Sequence, residues 1–487
     1  MKHESPVLSL SDVLKASSGK LISGPAETVF HGVSTDSRSI KKGNLFIALK
    51  GDNFDGHDYA DAAFRQGAAG ILVQDGDKMS RLKTDKKNAV IWAADTLFAL
   101  GEIAHGWRQK FSIPVIGLTG SSGKTTTKEM IASILGRGKN ILKTEGNLNN
   151  LIGLPQTIFR LNEGHELMLL EMGTNTRGEI KRLTQIADPD IGLITNIGPA
   201  HLEGFGSMEA VREEKGDLFL NMKSSGMAVV NLDDEAVVFT ADKWRGGKVT
   251  FSMSPNADIT VNDIERNGVK GIRFNLVIRG VAQKVEMKIT GLHHMYDAMA
   301  AASVSVAVGM DSKAIMDGLS AFRPFSGRME VSRLRNGAFL LDDSYNANPA
   351  SVREALMTLK DLKAGHSAYV FLGDMLELGE QADEMHRRIG MLIATIGVNA
   401  LFLRGDFSRI TARGAMEGGM VPENIFYLSD EETGSDYLKD HLKKGDWILV
   451  KGSRRMKMEK IAAQIVEDFG RDKMNGDGKT MNKPEVT

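Results

Sequence analysis

The chain has 487 residues, enough for about three domains at roughly 150 residues each. Hydrophobic residues make up 42% and charged residues 25%, with 61 Lys+Arg against 62 Asp+Glu. That balance excludes a disordered chain and a strongly basic nucleic-acid binder, and the absence of cysteine excludes a disulfide scaffold, a thiol nucleophile, a Cys-ligated zinc and an iron–sulfur cluster.

Met1 to Lys20 has no apolar core behind a basic start, and Ala298 to Met310, the nearest approach to a span, is too short and contains serines. A bilayer span needs roughly 18 apolar residues. A cytoplasmic protein is therefore expected. The first hundred residues form one α/β unit. From about Ile71 onward, short apolar runs alternate with stretches of helical spacing, the pattern of parallel sheets with crossover helices. Ile113 to Leu118 reads as a buried strand and Lys124 to Leu135 as the helix after it, while Leu167 to Glu171 and Ile191 to Ile197 repeat the strand. Between Ala257 and Ile289 the period shortens to near two, which predicts a small antiparallel insertion. An apolar helix follows over Met295 to Val308, and a loop over Phe322 to Gly327 marks a boundary. Beyond it, strands at Phe339 to Leu341, Ala368 to Leu372, Ala400 to Leu403 and Trp447 to Val450 make a second α/β sheet. The expected units are 1–112, 113–325 and 326–470, with a disordered polar tail over 471–487.

Gly120-Ser121-Ser122-Gly123-Lys124-Thr125-Thr126 lies between a predicted strand and a predicted helix. Such a loop offers backbone N–H groups and a helix N-terminus to phosphate, a lysine to neutralise charge, and a hydroxyl for Mg²⁺. The P-loop pattern would place its first glycine at position 118, which is Leu118 here. Glu171 ends the next strand, where a carboxylate can meet that metal; taken alone, it is more often a helix cap or surface charge. His201, after Asn196-Ile197-Gly198-Pro199-Ala200, could face the same site, although a lone histidine is usually structural. Around Val211 to Met222, helical spacing puts Glu214 and Lys215 on the apolar stripe. An inward lysine is costly unless paired or modified, and spacing alone favours a snorkelling side chain.

These residues resemble the Mur ligase family. Thr119 to Thr126 is the family's form of the phosphate loop, which accounts for the missing first glycine. Thr144-Glu145-Gly146-Asn147-Leu148-Asn149-Asn150, Asp342-Asp343-Ser344-Tyr345-Asn346-Ala347-Asn348-Pro349, Gly373-Asp374-Met375-Leu376-Glu377 and Lys451-Gly452-Ser453-Arg454 are similar to the branch that adds a dipeptide. The Asp-Asn-Pro-Arg sequence of the diaminopimelate-adding branch is not present. Folylpolyglutamate synthase shares the central and C-terminal domains, but not the N-terminal domain carrying Asp36-Ser37-Arg38. A P-loop switch that hydrolyses ATP is the alternative of a different class.

The resemblance implies three domains: a small N-terminal α/β uridine-binding domain, a central P-loop ATPase-type doubly wound sheet, and a C-terminal Rossmann-like domain. It implies ATP-dependent joining of D-alanyl-D-alanine to UDP-N-acetylmuramoyl-tripeptide through an acyl phosphate, giving the pentapeptide precursor of peptidoglycan. It further implies small-molecule substrates, no nucleic acid and no membrane span, and a monomer is expected. By the same resemblance Asp36, Ser37, Arg38, Phe46, Lys50, Gly51, Asp55 and His57, with Asn147, Asn149 and Asn150, bind the UDP substrate. Gly120 to Thr126, Asp297, Arg328 and Asp343 bind ATP, and Tyr345, Asn346 and Asn348 face the acceptor. Thr125, Glu171, His201 and Lys215 serve two Mg²⁺ sites, with Lys215 as a carbamate, and Lys124, Lys215, His201 and Arg328 carry the catalysis. The family usually reads His-Asn with a second Asn three residues on, contacting adenine; His294 and Asp297 stand there in this chain. An aspartate accepts from the adenine amino group but cannot donate to a ring nitrogen.

Overall fold

A computed structural model of the chain describes residues 6–76, 78, 87–429 and 434–472. Within them lie three large sheets of five, nine and six strands and a two-stranded ribbon. The ribbon pairs Val7–Ser9 with Val29–His31. The five-stranded sheet runs in the order Lys20–Ser23, Ala89–Trp92, Gly70–Val73, Leu45–Ile47, Val33–Ser34, parallel except for its first strand.

In the nine-stranded sheet, Val115–Thr119 lies between Leu167–Glu171 and Ile191–Ile194 and is parallel to both. Every residue of Val115–Thr119 and Leu167–Glu171 is buried, as expected where helices cover both faces of a parallel sheet. Ile141–Lys143 closes one edge. On the other side Met227–Asn231, Gly247–Ser252 and Ile259–Arg266 continue in parallel. The region predicted as an antiparallel insertion extends this edge: Ile259–Arg266 pairs antiparallel with Ile272–Ile278, and that with Val281–Met287. The alternating pattern marked strands correctly but carried no information about which sheet they would join.

The third sheet is ordered Glu330–Arg333, Phe339–Asp343, Trp447–Lys451, Ala368–Gly373, Ala400–Arg404, Ile425–Tyr427, with only the first strand antiparallel. Arg471 bridges Leu334, and the Asp472 amide donates to the Arg333 carbonyl at 2.8 Å. These two residues of the expected tail thus pair with the sheet, and 473–487 lie outside the described residues. Among the described residues, no helix is long and apolar enough to cross a membrane.

Register sets the position of the site. Glu171 lies opposite Leu118, and Ile194 opposite Thr119, so Glu171, Thr195-Asn196 and the glycine loop all emerge at the carboxyl ends of adjacent strands. In an open α/β sheet this edge is where ligands gather.

Candidate active site

The helix Lys124–Leu135 begins directly after Gly123, so its first N–H groups have no intrahelical acceptor and face the loop. Two glycines permit the approach. At Gly120 (φ +154°) an added Cβ would come within 1.9 Å of Thr195 Oγ1, and at Gly123 (φ +80°) within 2.5 Å of Asp297 Oδ1. The loop is tied down from the neighbouring strand end. Asn196 accepts from the Ser121 amide through its carbonyl at 3.0 Å and from the Ser122 amide through Oδ1 at 2.9 Å, and Thr195 Oγ1 donates to the Ser122 carbonyl at 2.7 Å. With those two amides engaged, the phosphate-facing donors are the helix N-terminus and Lys124.

Lys124 Nζ donates to the Gly120 carbonyl at 2.7 Å, and Lys215 Nζ donates to the same oxygen at 3.2 Å. Lys215 is only 2% exposed. The Ser207 hydroxyl caps its helix, Met208–Asn221, by accepting from the Ala210 amide at 3.2 Å. Burial first, then the Lys124 charge, lowers the Lys215 amine to about 7. Burial also lowers Lys124.

Glu171 is buried, and its Oε1 accepts from Asn149 Nδ2 at 3.0 Å. Its Oε2 is buried with no hydrogen-bond partner, and the nearest cation, Lys128 Nζ, stands 3.8 Å away. An orphaned carboxylate oxygen beside a phosphate loop fits magnesium, which prefers one or two carboxylates plus phosphate and water. Among the described residues no group of three or more His, Asp or Glu forms an all-protein cage.

A cavity of about 740 Å³ joins these groups to the third sheet. Its lining includes Ser121, Ser122, Gly123, Lys124, Thr125, Thr126, Asn147, Asn149, Asn150, Glu171, His201, Lys215, Asp297, Arg328, Asp343, Tyr345, Asn346 and Asn348. Sequence reasoning singled out all of these. It missed Asp233, Asp234, Tyr296 and Glu354, which line the same space. Asp233 and Asp234 follow the apolar run Met227–Asn231, so the strand-end rule that found Glu171 applied equally to them. Burial, and then neighbouring Asp233, raises the Tyr296 hydroxyl to about 12.

Contacts from the third sheet close the cavity. Asn348 Nδ2 donates to Ser122 Oγ at 3.1 Å, and His201 Nδ1 pairs with Glu377. Asp343 Oδ1 accepts from the Met329 amide at 3.2 Å, while its Oδ2 pairs with the buried Lys451. The Arg328 guanidinium lies 4.2 Å from the Tyr345 ring centroid, within cation–π range.

Asp297 sits beneath the loop with both oxygens engaged: Oδ1 accepts from Thr127 Oγ1 at 2.8 Å, and Oδ2 pairs with His294 Nδ1 at 2.8 Å. The two departures from the family pattern are therefore partners of each other.

Of the residues expected to bind the UDP substrate, Asn147, Asn149 and Asn150 line this cavity, and those of the first unit, Asp36 to His57, do not. Arg38, whose side chain is 88% exposed, is held by Asp36 at 2.7 Å beside Ser37. Phe46 is 1% exposed, in the core of the first sheet, so any ligand contact there falls to its backbone. His57 is buried with both ring nitrogens engaged, Nδ1 by Asp55 and Nε2 by the Gln74 amide. Lys50 is exposed, and the Gly51 amide donates to the Phe54 carbonyl at 2.9 Å. A bond from Gln156 Nε2 to Thr35 Oγ1 at 2.9 Å ties this unit to the central one.

Three family models match the chain: the Mur ligase family catalytic domain over residues 29–108, the Mur ligase middle domain over 118–305, and the Mur ligase glutamate ligase domain over 327–454. The UDP-N-acetylmuramoyl-tripeptide:D-alanyl-D-alanine ligase of Bacillus subtilis (strain 168) is 34% identical, across 91% of this chain and 94% of its own length. A MurF crystal structure from Acinetobacter baumannii superposes with a TM-score of 0.86 at 29% identity, covering 95% of this chain and 100% of that one. The MurF ligase of Thermotoga maritima, in complex with ADP, gives 0.79 at 27% identity, covering 90% and 97%.

Proposed function

The chain belongs to the Mur ligase family, and from that premise we propose that it joins D-alanyl-D-alanine to UDP-N-acetylmuramoyl-tripeptide at the expense of ATP. The observation that carries this reading is the shared cavity: the phosphate loop, Glu171 with its orphaned oxygen and the Asp343 to Asn348 turn line one space. A site that only hydrolysed ATP would not need the third sheet to supply about a third of its wall.

The terminal carboxylate of the tripeptide attacks the γ-phosphorus of ATP, forming an acyl phosphate and releasing ADP. The dipeptide amine then attacks the acyl carbon, and phosphate leaves with one oxygen of the original carboxylate. In the first step two anions meet, so Lys124 and Arg328 hold the phosphate chain and offset the repulsion. Thr125 and Glu171 would hold magnesium, which supplies further charge neutralisation at the phosphates. His201, whose Nδ1 is fixed by Glu377, lines the same cavity. Asn348 and Glu377 hold the third sheet over the loop, which keeps water from the acyl phosphate.

Lys215 acts as a carbamate. Its amine, held near 7, loses its proton at neutral pH and adds carbon dioxide, forming an N–C bond and releasing a proton. This replaces a buried cation facing Lys124 with an anion that pairs with it. The first unit receives the UDP moiety through the segment Asp36 to His57.

The test is phosphate release from ATP and Mg²⁺ with the UDP-linked tripeptide, with and without the dipeptide, following product mass. Release should require both substrates and give a product heavier by one dipeptide less water. Lys124→Ala should lower the rate by about a hundredfold or more. Phosphate release indifferent to both substrates would instead mark an ATP-hydrolysing switch.

A further inference from the structure

The acceptor carries a group that the reaction leaves untouched. Its amine is consumed, but the carboxylate at its other end is still charged when the dipeptide is enclosed. A desolvated carboxylate requires a cation or several N–H donors.

Five lysine or arginine side chains line the cavity: Lys124, Lys215, Arg328, Lys451 and Arg454. Lys124 and Lys215 converge on the Gly120 carbonyl on the phosphate side. Arg328 shares a smaller pocket with Thr125 and Thr126, on the same side. Lys451 is buried against Asp343 and also donates to the Asn346 carbonyl at 3.0 Å. Arg454 remains. It follows the strand Trp447–Lys451, on the side of the cavity formed by the third sheet. Its side chain is 58% exposed, and among the described residues Nη1 alone has a hydrogen-bond partner, Glu459 Oε1 at 3.1 Å.

We propose that Arg454 binds the free carboxylate of the incoming dipeptide and so selects acceptors that end in one; this rests on the ligase reading above. Glu459 holds one nitrogen of the guanidinium, leaving the Nε and Nη2 edge open for the paired N–H···O contacts that a carboxylate accepts. The Arg454 amide donates to Asn346 Oδ1 at 3.2 Å, and its guanidinium lies 5.2 Å from the Tyr345 ring. The arginine is therefore tied to the turn that borders the reacting amine.

Steady-state kinetics with D-alanyl-D-alanine and with its C-terminal amide test this. In the unaltered chain the amide should show a KM about tenfold to a hundredfold higher than the acid, the range for losing a charge-assisted pair. Arg454→Ala should raise KM for the acid by a similar factor and leave KM for the amide, ATP and the UDP-linked substrate unchanged. Arg454→Lys should recover part of the loss. Equal use of acid and amide by the unaltered chain would overturn the proposal even if no variant folds. So would an Arg454→Ala effect of the same size on both acceptors, because that is the signature of a structural role. If the unaltered chain ligates neither acceptor, the ligase reading itself fails and takes this assignment with it.

Discussion

Two ammonium groups, those of Lys124 and Lys215, are directed at one carbonyl, that of Gly120, and so repel each other. Lys215 yields, with its amine lowered to about 7. An unfolded chain binds this proton more tightly than the folded one between about 7 and the ordinary lysine value. The cost of Lys215 to folding is therefore largest below about pH 7, and it is relieved as pH rises toward that ordinary value. Carbamylation needs the neutral amine, so a ¹³C signal from labelled bicarbonate should grow between about pH 6 and about pH 8. It should be missing in Lys215→Arg; an identical signal there would remove the assignment. Asp297 and His294 form a second residue-scale unit. Asp297→Ala strands both Thr127 Oγ1 and His294, and should cost about 1–3 kcal/mol in denaturant unfolding. Restoring the family's pair with His294→Asn and Asp297→Asn together should cost less than the two single changes summed, because contacting partners do not add. Additive costs would mean that the pair is not coupled.

At the scale of elements, the helix Pro349–Lys363 has a full capping box. Asn348 accepts from the Ser351 amide at 2.8 Å, the Ser351 hydroxyl lies 3.0 Å from the Asn348 amide, and proline occupies the first turn. The same Asn348 side chain reaches Ser122. Asn348→Ala should thus cost about 1 kcal/mol of stability and lower activity by more than stability explains, whereas Asn348→Asp should keep the cap and lose only the amide donor to Ser122. Equal activity in the two variants would separate the cap from the closure. The main helices and central strands were legible in the sequence because their periodicity is local: the phosphate-loop helix is Lys124–Leu135 as read, and Leu167–Glu171 likewise. Three-residue edge strands such as Ile141–Lys143 and Ile425–Tyr427 are too short to show a period. The site was legible where one segment carries its own chemistry, as in the glycine loop. Pairings such as Asn196 with the loop amides, or Lys451 with Asp343, join residues far apart in the chain, and no local pattern reports them.

For the whole molecule, one contact between the third sheet and the central one joins two residues of strained backbone. His201 and Glu377 pair across the cleft, and both have positive φ, +54° and +66°. Each such residue costs about 1–2 kcal/mol without glycine, so strain sits on both sides of this contact. The connecting segment carries Gly327 at φ +73° and Met329 at φ +55°, and Met329 is pinned to Asp343. Gly327→Ala adds strain to that joint and brings a Cβ to 3.3 Å from Ser344 Oγ. It should lower kcat several-fold with the unfolding midpoint of the central unit little changed.

The account turns on one event in the shared cavity, transfer of the γ-phosphoryl group to a carboxylate that an amine then displaces. The most direct measurement is to label the terminal carboxylate of the UDP-linked tripeptide with ¹⁸O, run the ligation with ATP and D-alanyl-D-alanine, and weigh the released phosphate. Each phosphate should carry one ¹⁸O and appear in step with the peptide product. Unlabelled phosphate would mean that water, not the carboxylate, attacks ATP, and would contradict the account.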